Sequence, residues 1–387
     1  MKKKLKKNKK IYIYSVGRSD LYRILPIIKD LQTFKDIELK IILSEVHFSK
    51  KYGFTHKDIK NKSIVLSNPK KKNISLHTLS REIDYLIRLF KNKKPDLLIV
   101  FGDRYDMLAA PVAAINFNIP IVHFYGGAIT NYAIDELSRH AISKMSHFHF
   151  VALNEYKKNL IQMGENKNTI QVIGVPEIQD LKNQKKLSKK ELIKKINFDY
   201  GKNTILVTFH PVTLQLKDIK NQIKNLLNSI KLLNVKAIFT YPNIDRKNNY
   251  IINELKKFIK NDKKKYCLIK KMDSLILANI LRNVVCVVGN SSIGIVEAAS
   301  FKLPTVNIGD RQKGKFEPDN VINCRYDTKS ISMSIKKAVE LKKKNAYKQF
   351  VNPYEKKISI KKISKKIISL ISKNDLTFKK FNKLIFK

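Results

Sequence analysis

The run Leu97-Leu-Ile-Val-Phe101 restricts what this chain can become. Five successive apolar residues cannot alternate between a wet face and a dry one, so a strand made of them is buried on both sides. Such strands belong to parallel sheets, and parallel neighbours need a long crossover, usually a helix, between them. The flanking sequence supplies those crossovers. Residues 11–16 read as a strand, and Leu21, Ile24, Leu25, Ile28 and Leu31 then fall at helical spacing, which predicts a helix over 21–34. A strand is expected at 39–43 and an amphipathic helix at 80–90, with Ile83, Leu86, Ile87 and Phe90 on one face. After the 97–101 strand come an expected helix at 105–117, a strand at 119–124, a helix at 133–145 and a strand at 149–151.

From about 180 the chain turns polar and Lys-rich, and 181–202 reads as a linker with a short helix. The alternation then restarts. Strands are expected at 204–209, 237–241, 284–288 and 305–308, the last clear one, with helices at 214–233, 251–260 and 293–300. A C-terminal helical region includes 358–371. Strand–helix alternation with apolar strands gives an α/β chain of two similar halves, 11–180 and 203–372, facing across a cleft. The length of 387 residues agrees with two domains. Ligands of such sheets gather beyond the carboxyl ends of the strands.

The net charge of +46 points first toward nucleic acid or an anionic surface. Its make-up argues otherwise. Only ten of the 78 basic residues are Arg, whereas reading of phosphates and base edges leans on the planar guanidinium fork. A Lys-, Ile- and Asn-rich chain is what an AT-rich genome writes onto any protein. Neither nucleic acid nor a membrane is expected as a partner. No apolar run reaches 18 residues, and the basic stretch at 1–10 is followed by too short an apolar segment for a secretion signal. Three cysteines without C-x-x-C spacing suit a reducing cytoplasm.

Four segments carry polar chemistry at expected strand ends. In Val100-Phe-Gly-Asp-Arg-Tyr-Asp106, Asp103 and Arg104 sit at the mouth of a helix, where Asp103 either meets a ligand or caps the helix. In His123-Phe-Tyr-Gly-Gly-Ala128, adjacent glycines can admit a ligand close to the backbone. Asp135 and Arg139 follow four apart on one helix face, which a simple stabilising pair would also explain. Gly289-Asn-Ser-Ser-Ile-Gly294 joins a strand to a helix, with Glu297 one turn in. Free N–H groups, two hydroxyls and the helix dipole make an anion site there, or an ordinary N-cap. It is neither a Walker loop nor G-x-G-x-x-G. Phe209-His210-Pro211 puts a histidine at a strand end, able to donate to a phosphate or to serve as a core histidine. His147 and His149 lack accompanying ligands at metal spacing.

Together these segments resemble the hydrolysing UDP-N-acetylglucosamine 2-epimerases, which feed sialic-type (nonulosonic) acid synthesis. The similarity runs in order through Gly17-Arg18-Ser19-Asp20, His47-Phe-Ser-Lys-Lys-Tyr-Gly-Phe-Thr55, Gly102-Asp-Arg-Tyr-Asp-Met-Leu-Ala-Ala110 and Ile119-Pro-Ile-Val-His-Phe-Tyr-Gly-Gly127. It continues through Asp135–His147, Phe209-His-Pro-Val-Thr213, Tyr241-Pro-Asn-Ile-Asp245, Gly289–Ser292, Asn307-Ile-Gly-Asp-Arg-Gln-Lys-Gly314 and Asn352-Pro-Tyr354.

The resemblance implies a GT-B-like fold: two Rossmann-like domains with a cleft between them, the second binding UDP, and a final helix crossing back. It implies loss of UDP by anti elimination as the C2 proton is removed, then addition of water with inverted C2, without metal or other cofactor. The sugar released is N-acetylmannosamine. By the same resemblance Asp103, Asp135 and Arg139 are catalytic. Arg18, Arg104, His210, Ser291, Ser292, Glu297 and Arg311 hold UDP. Asp20, His47, Gly126, Gly127, Asn243 and Asp245 lie on the sugar side. A homo-oligomer, dimer or tetramer, is expected. Two departures stand out. Ala128 replaces the Glu that commonly follows the Gly-Gly pair, and the first loop lacks the usual Thr-Gly before its Arg. The same reaction on UDP-N,N'-diacetylbacillosamine, on the legionaminic acid route, is the main alternative; a GT-B glycosyltransferase is another.

Overall fold

The apolar run Leu97–Phe101 forms a strand with all five residues buried near the middle of a parallel sheet. The structure, a computed structural model, describes residues 8–49, 55–58, 64–66, 78–243, 245–270, 272–372 and 376–383. The chain divides into two compact units. The first comprises Met1–Ala128, Asp135–Pro176 and Lys356–Lys387, and the second Ile129–Ile134 and Glu177–Glu355.

In the first unit the elements run β1 (Lys9–Ser15), α1 (Arg18–Leu31), β2 (Ile37–Leu43), β3 (Ile64–Leu66), α2 (Thr78–Asn92), β4 (Leu97–Phe101), α3 (Ala109–Ile115), β5 (Ile121–Phe124), α4 (Asp135–Met145), β6 (Phe148–Val151), α5 (Asn154–Gln162) and β7 (Ile170–Val172). The seven strands are parallel, in the order β3-β2-β1-β4-β5-β6-β7. The helix expected at 105–117 begins as a 3-10 turn, Tyr105–Leu108, and becomes α-helical only at Ala109.

The second unit holds α6 (Glu177–Asn183), α7 (Lys189–Ile196), β8 (Ile205–Thr208), α8 (Ile219–Leu233), β9 (Ala237–Thr240), α9 (Asn248–Asn261), β10 (Tyr266–Ile269), α10 (Ser274–Asn283), β11 (Val287–Gly289), α11 (Ser292–Val296), β12 (Thr305–Ile308), β13 (Val321–Cys324) and α12 (Thr328–Lys343). Its six strands are also parallel, in the order β10-β9-β8-β11-β12-β13. The strand at 305–308 is therefore not the last, because β13 pairs with it.

The stretch 181–202 does not behave as a linker. Leu181, Leu192, Phe198 and Tyr200 are buried in a core layer of the second unit with Leu206, Ile238 and Val287 from its sheet. A capping box between Ser188 and Glu191 starts α7. The last helix, α13 (Ile360–Ile371), groups with the first unit, where Ile363, Ile367 and Leu370 join the core. No helix among the described residues is long and apolar enough to cross a membrane.

Candidate active site

In each sheet the strand order reverses at one place. Chain order turns back between β1 and β4 in the first unit, and between β8 and β11 in the second. At such a switch point the two flanking loops leave in opposite directions and open a crevice at the carboxyl ends. Three of the four polar segments fall there, and the one with Gly126 and Gly127 follows β5, the strand next to β4. Gly17–Asp20 follows β1 and Gly102–Asp106 follows β4, while Phe209–Pro211 follows β8 and Asn290–Ser292 follows β11.

In the first unit, Arg139 of α4 is fully buried and organises the carboxylates. Its Nε and Nη2 donate to Asp103 Oδ2 at 3.1 and 2.7 Å. Its Nη1 donates to Glu136 Oε2 at 2.6 Å and to the Ala128 carbonyl at 2.8 Å. Burial works against the guanidinium's charge, but the two carboxylates outweigh it and raise its pKa. The planar fork thus holds a strand-end acid and a helix acid together. Glu136 Oε1 also pairs with His140 Nε2 at 2.8 Å. With Ala128 in place of the usual Glu, the sequence offers Glu136, beside Asp103 and Asp135, as a substitute acid, and its i,i+3 spacing to Arg139 is legible there. Asp135, half-buried, opens the same helix.

His123 supports this arrangement from below. Its Nε2 lies 2.7 Å from the Gly102 carbonyl, which can only accept, so the proton is on Nε2. Its Nδ1 lies 3.1 Å from Ser143 Oγ of α4. Burial drives its pKa down to about 3 and keeps it neutral. Gly126 and Gly127 are required by the packing around them. A Cβ on Gly126 would strike Ser143 Oγ and His123, and one on Gly127 would strike the Tyr156 carbonyl.

At the β1 end, Asp20 and His47 are buried rather than open to a sugar. Asp20 Oδ2 accepts from Ser15 Oγ at 2.6 Å and from the Val16 N–H at 2.8 Å. Burial raises its pKa to about 6 despite those bonds. Ser15 has one proton, so His47 Nε2–H donates to Ser15 Oγ (3.1 Å), and His47 Nδ1 lies 2.7 Å from Thr55 Oγ1. The chain Thr55–His47–Ser15–Asp20 therefore braces the loop that leads into α1. Arg18 is the first residue of that helix, and its side chain lies outside the described residues. Arg104 Nη2 donates to Asp106 at 3.1 Å.

In the second unit, Asn290 ties the two crevice loops together. It accepts the His210 N–H at 2.7 Å and donates to the His210 carbonyl at 2.9 Å. Its own carbonyl accepts from Arg311 Nη1 and Gln312 Nε2, each at 3.0 Å. His210 Nδ1 accepts the Asn243 N–H at 3.0 Å, which leaves the proton on Nε2. Gly289 has φ 137°, and a Cβ there would collide with the Thr208 carbonyl, so only glycine fits. Ser291 is the N-cap of α11 and accepts from the Ile293 N–H. The helix expected over 293–300 is a five-residue turn of α-helix followed by a 3-10 turn, so its dipole is small. Ser292 and Glu297 sit half-buried at its two ends, and Asp245 lies half-buried beyond Asn243; Ile244 lies outside the described residues.

Comparison with known proteins bears on family and fold. The family model described as UDP-N-acetylglucosamine 2-epimerase matches residues 29–368. A GDP/UDP-N,N'-diacetylbacillosamine 2-epimerase (hydrolysing) of Campylobacter jejuni is 36% identical, over 82% of this chain and 85% of the relative. A UDP-N,N'-diacetylbacillosamine 2-epimerase (hydrolysing) of Legionella pneumophila is 33% identical, over 87% and 91%. The crystal structure of a Methanocaldococcus jannaschii UDP-GlcNAc 2-epimerase in complex with UDP-GlcNAc and UDP superposes with a TM-score of 0.77. It covers 93% of this chain and 99% of that one at 18% identity, a likeness of fold. The expected GT-B-like class, two Rossmann-like domains with parallel sheets, holds.

Proposed function

The chain belongs to the hydrolysing UDP-N-acetylglucosamine 2-epimerase family, and we propose that it converts a UDP-linked 2-acetamido sugar into UDP and the free, C2-inverted sugar. The observation that carries this reading is the Asp103–Arg139–Glu136 array at the first switch point. C2–H of a pyranose is a weak acid. A carboxylate must sit against it while the C1–O bond weakens.

In the proposed first step Asp103 takes the C2 proton. The C–H electron pair forms the C1–C2 double bond, and the C1–O electrons leave on the β-phosphate of UDP. In the second, Asp135, protonated beforehand, gives a proton to C2 from the opposite face and hydroxide from water adds at C1; the proton left by that water restores Asp135, and Asp103 releases the C2 proton to solvent. The sum is one UDP-sugar and one water giving UDP and one epimerised sugar. Departing UDP would be stabilised by Arg18, Arg104, His210, Ser291, Ser292 and Arg311, with Glu297 on the ribose or uridine. Asn243 and Asp245 would line the sugar. Asp20 and His47, being buried, would act by holding the β1 loop.

UDP-N-acetylglucosamine is one substrate reading, with N-acetylmannosamine as its product. UDP-N,N'-diacetylbacillosamine is the second, and the Campylobacter and Legionella relatives favour it. Both lead to nonulosonic acids, of sialic and legionaminic type respectively. Product analysis with the two UDP-sugars side by side decides between them. Sugar transferred intact to an acceptor, with retention of C2, would instead support a glycosyltransferase.

A further inference from the structure

Helix α4, which carries Glu136 and Arg139, ends without the usual device. Many helices close on a Gly or Asn in the left-handed conformation. Helices α7 and α8 do so, on Asn197 (φ 50°) and Asn234 (φ 51°). After α4 comes Ser146-His147. The last four carbonyls of a helix have no partner inside it. Ser146 Oγ donates back to one of them, Ile142 O, at 2.7 Å.

The Ser143 carbonyl accepts the Ser146 N–H at 3.1 Å, and a further donor reaches this turn from the far end of the chain. Lys379 Nζ lies 3.2 Å from the Ser143 carbonyl, 2.7 Å from that of Lys144 and 2.6 Å from that of Ser146. It also pairs with Glu165 Oε2 at 2.8 Å. Glu165 is 2% exposed and accepts from Lys144 Nζ (2.8 Å) and His149 Nε2 (3.1 Å) as well. Burial would raise the Glu165 pKa, but these hydrogen bonds overcome it and hold the value at about 2. Around Lys379 the segment is docked. The Asn382 N–H donates to the Gly164 carbonyl at 2.9 Å, and the Phe381 ring covers Gly164 where any Cβ would strike it. An ammonium is well placed here, since the carbonyl end of a helix carries partial negative charge.

We infer that Lys379 is a positioning residue for the proposed reaction, closing α4 and so fixing the carboxylate array at its other end. The route is short. Ser143, whose carbonyl faces Lys379, has its Oγ 2.9 Å from the Arg139 carbonyl and 3.1 Å from His123 Nδ1. His123 holds the Gly102 carbonyl, next to Asp103. One residue thus links the cap to both partners of the Arg139–Asp103 pair.

The inference rests on α4 belonging to the site proposed above, so its test reads the helix as well as turnover. Lys379→Met keeps the stem and removes the donors; Lys379→Arg restores a cation. In the full chain, Lys379→Met should speed amide hydrogen exchange in the last turn of α4 about tenfold or more while β4 and β5 keep their protection. It should lower kcat about tenfold, with KM within twofold, because small misplacements of reacting groups cost that much. Lys379→Arg should recover most of both. Should Lys379→Met lose protection throughout, Phe381→Ala, which loosens the docked segment and keeps the ammonium, should show the local pattern in milder form. Unchanged exchange in α4, or a loosened α4 with full kcat, overturns the inference. If the native chain turns over no UDP-sugar, the functional reading fails, and the exchange result still decides whether Lys379 fixes α4.

Discussion

Replacing Arg139 by Met removes the group on which the candidate site is built. The guanidinium is inaccessible to solvent and serves three acceptors: Asp103, Glu136 and the Ala128 carbonyl. The Ala128 carbonyl sits on a residue only 6% exposed, and leaving it unpaired costs about 1–3 kcal/mol. The carboxylates are more accessible, their side chains being 36% and 22% exposed for Asp103 and Glu136. Water can therefore compensate part of each lost ion pair, which limits that contribution to about 1 kcal/mol apiece. The total is about 3–5 kcal/mol, the range for breaking a buried pair by removing one partner. For a unit of this size that corresponds to roughly a 10 °C fall in the midpoint of thermal unfolding. Turnover should fall about a hundredfold or more, since Asp103 loses the fork that aims it. Arg139→Lys should lie between, because one ammonium cannot grip two carboxylates and a carbonyl in a plane. Thermal unfolding and UDP release measured on both variants check this. A Met variant that melts within 2 °C of the parent and works within a factor of three would refute the reasoning.

Two further outcomes follow from the same groups. Asp103→Asn should lower turnover by about a thousandfold while UDP affinity stays within twofold, as measured by calorimetry; an unchanged rate would remove its proposed role. Glu165 has a folded pKa of about 2, against an ordinary 4.5. Its stabilisation is thus complete above pH 4.5 and lost as the pH falls toward 2, amounting to about 3 kcal/mol. Glu165→Gln should be less stable at pH 7 and lose correspondingly less on acidification in urea titrations at pH 7 and pH 3; equal acid sensitivity would contradict the assignment.

The central strands and most flanking helices were legible because the apolar periodicity is strong where burial is complete. Leu97–Phe101 and Thr305–Ile308 match their expected bounds. The strands Ile64–Leu66 and Ile170–Val172 and the helices Asn154–Gln162 and Ser274–Asn283 were not anticipated, nor were two further short strands. Tyr266–Ile269 sits in a Lys-rich stretch that reads as solvated surface, and Val321–Cys324 alternates too briefly to stand out. The second half of the linker carried a usable signal, Ser188 with Glu191 three residues on, before an apolar pair. About half of the expected site residues, among them Arg18, Asp20, Asp103, Arg104, His210, Ser291 and Ser292, fall at the switch points, because strand ends are visible in sequence. Exposure is not visible: Gly126 and Gly127 are tight for packing, and His47 is a buried brace. The charge sharpens the same lesson. Most Lys is surface, yet Lys379, in a tail that composition would leave in water, is wired into α4. That pairing spans more than 230 residues, and no local pattern announces it.

The most direct test of the central claim is turnover in D2O with each UDP-sugar, followed by NMR of the released sugar. The account predicts free UDP and a C2-inverted sugar carrying one deuterium at C2. UDP released with the C2 proton retained would contradict elimination, and with it the role proposed for the Asp103–Arg139–Glu136 array.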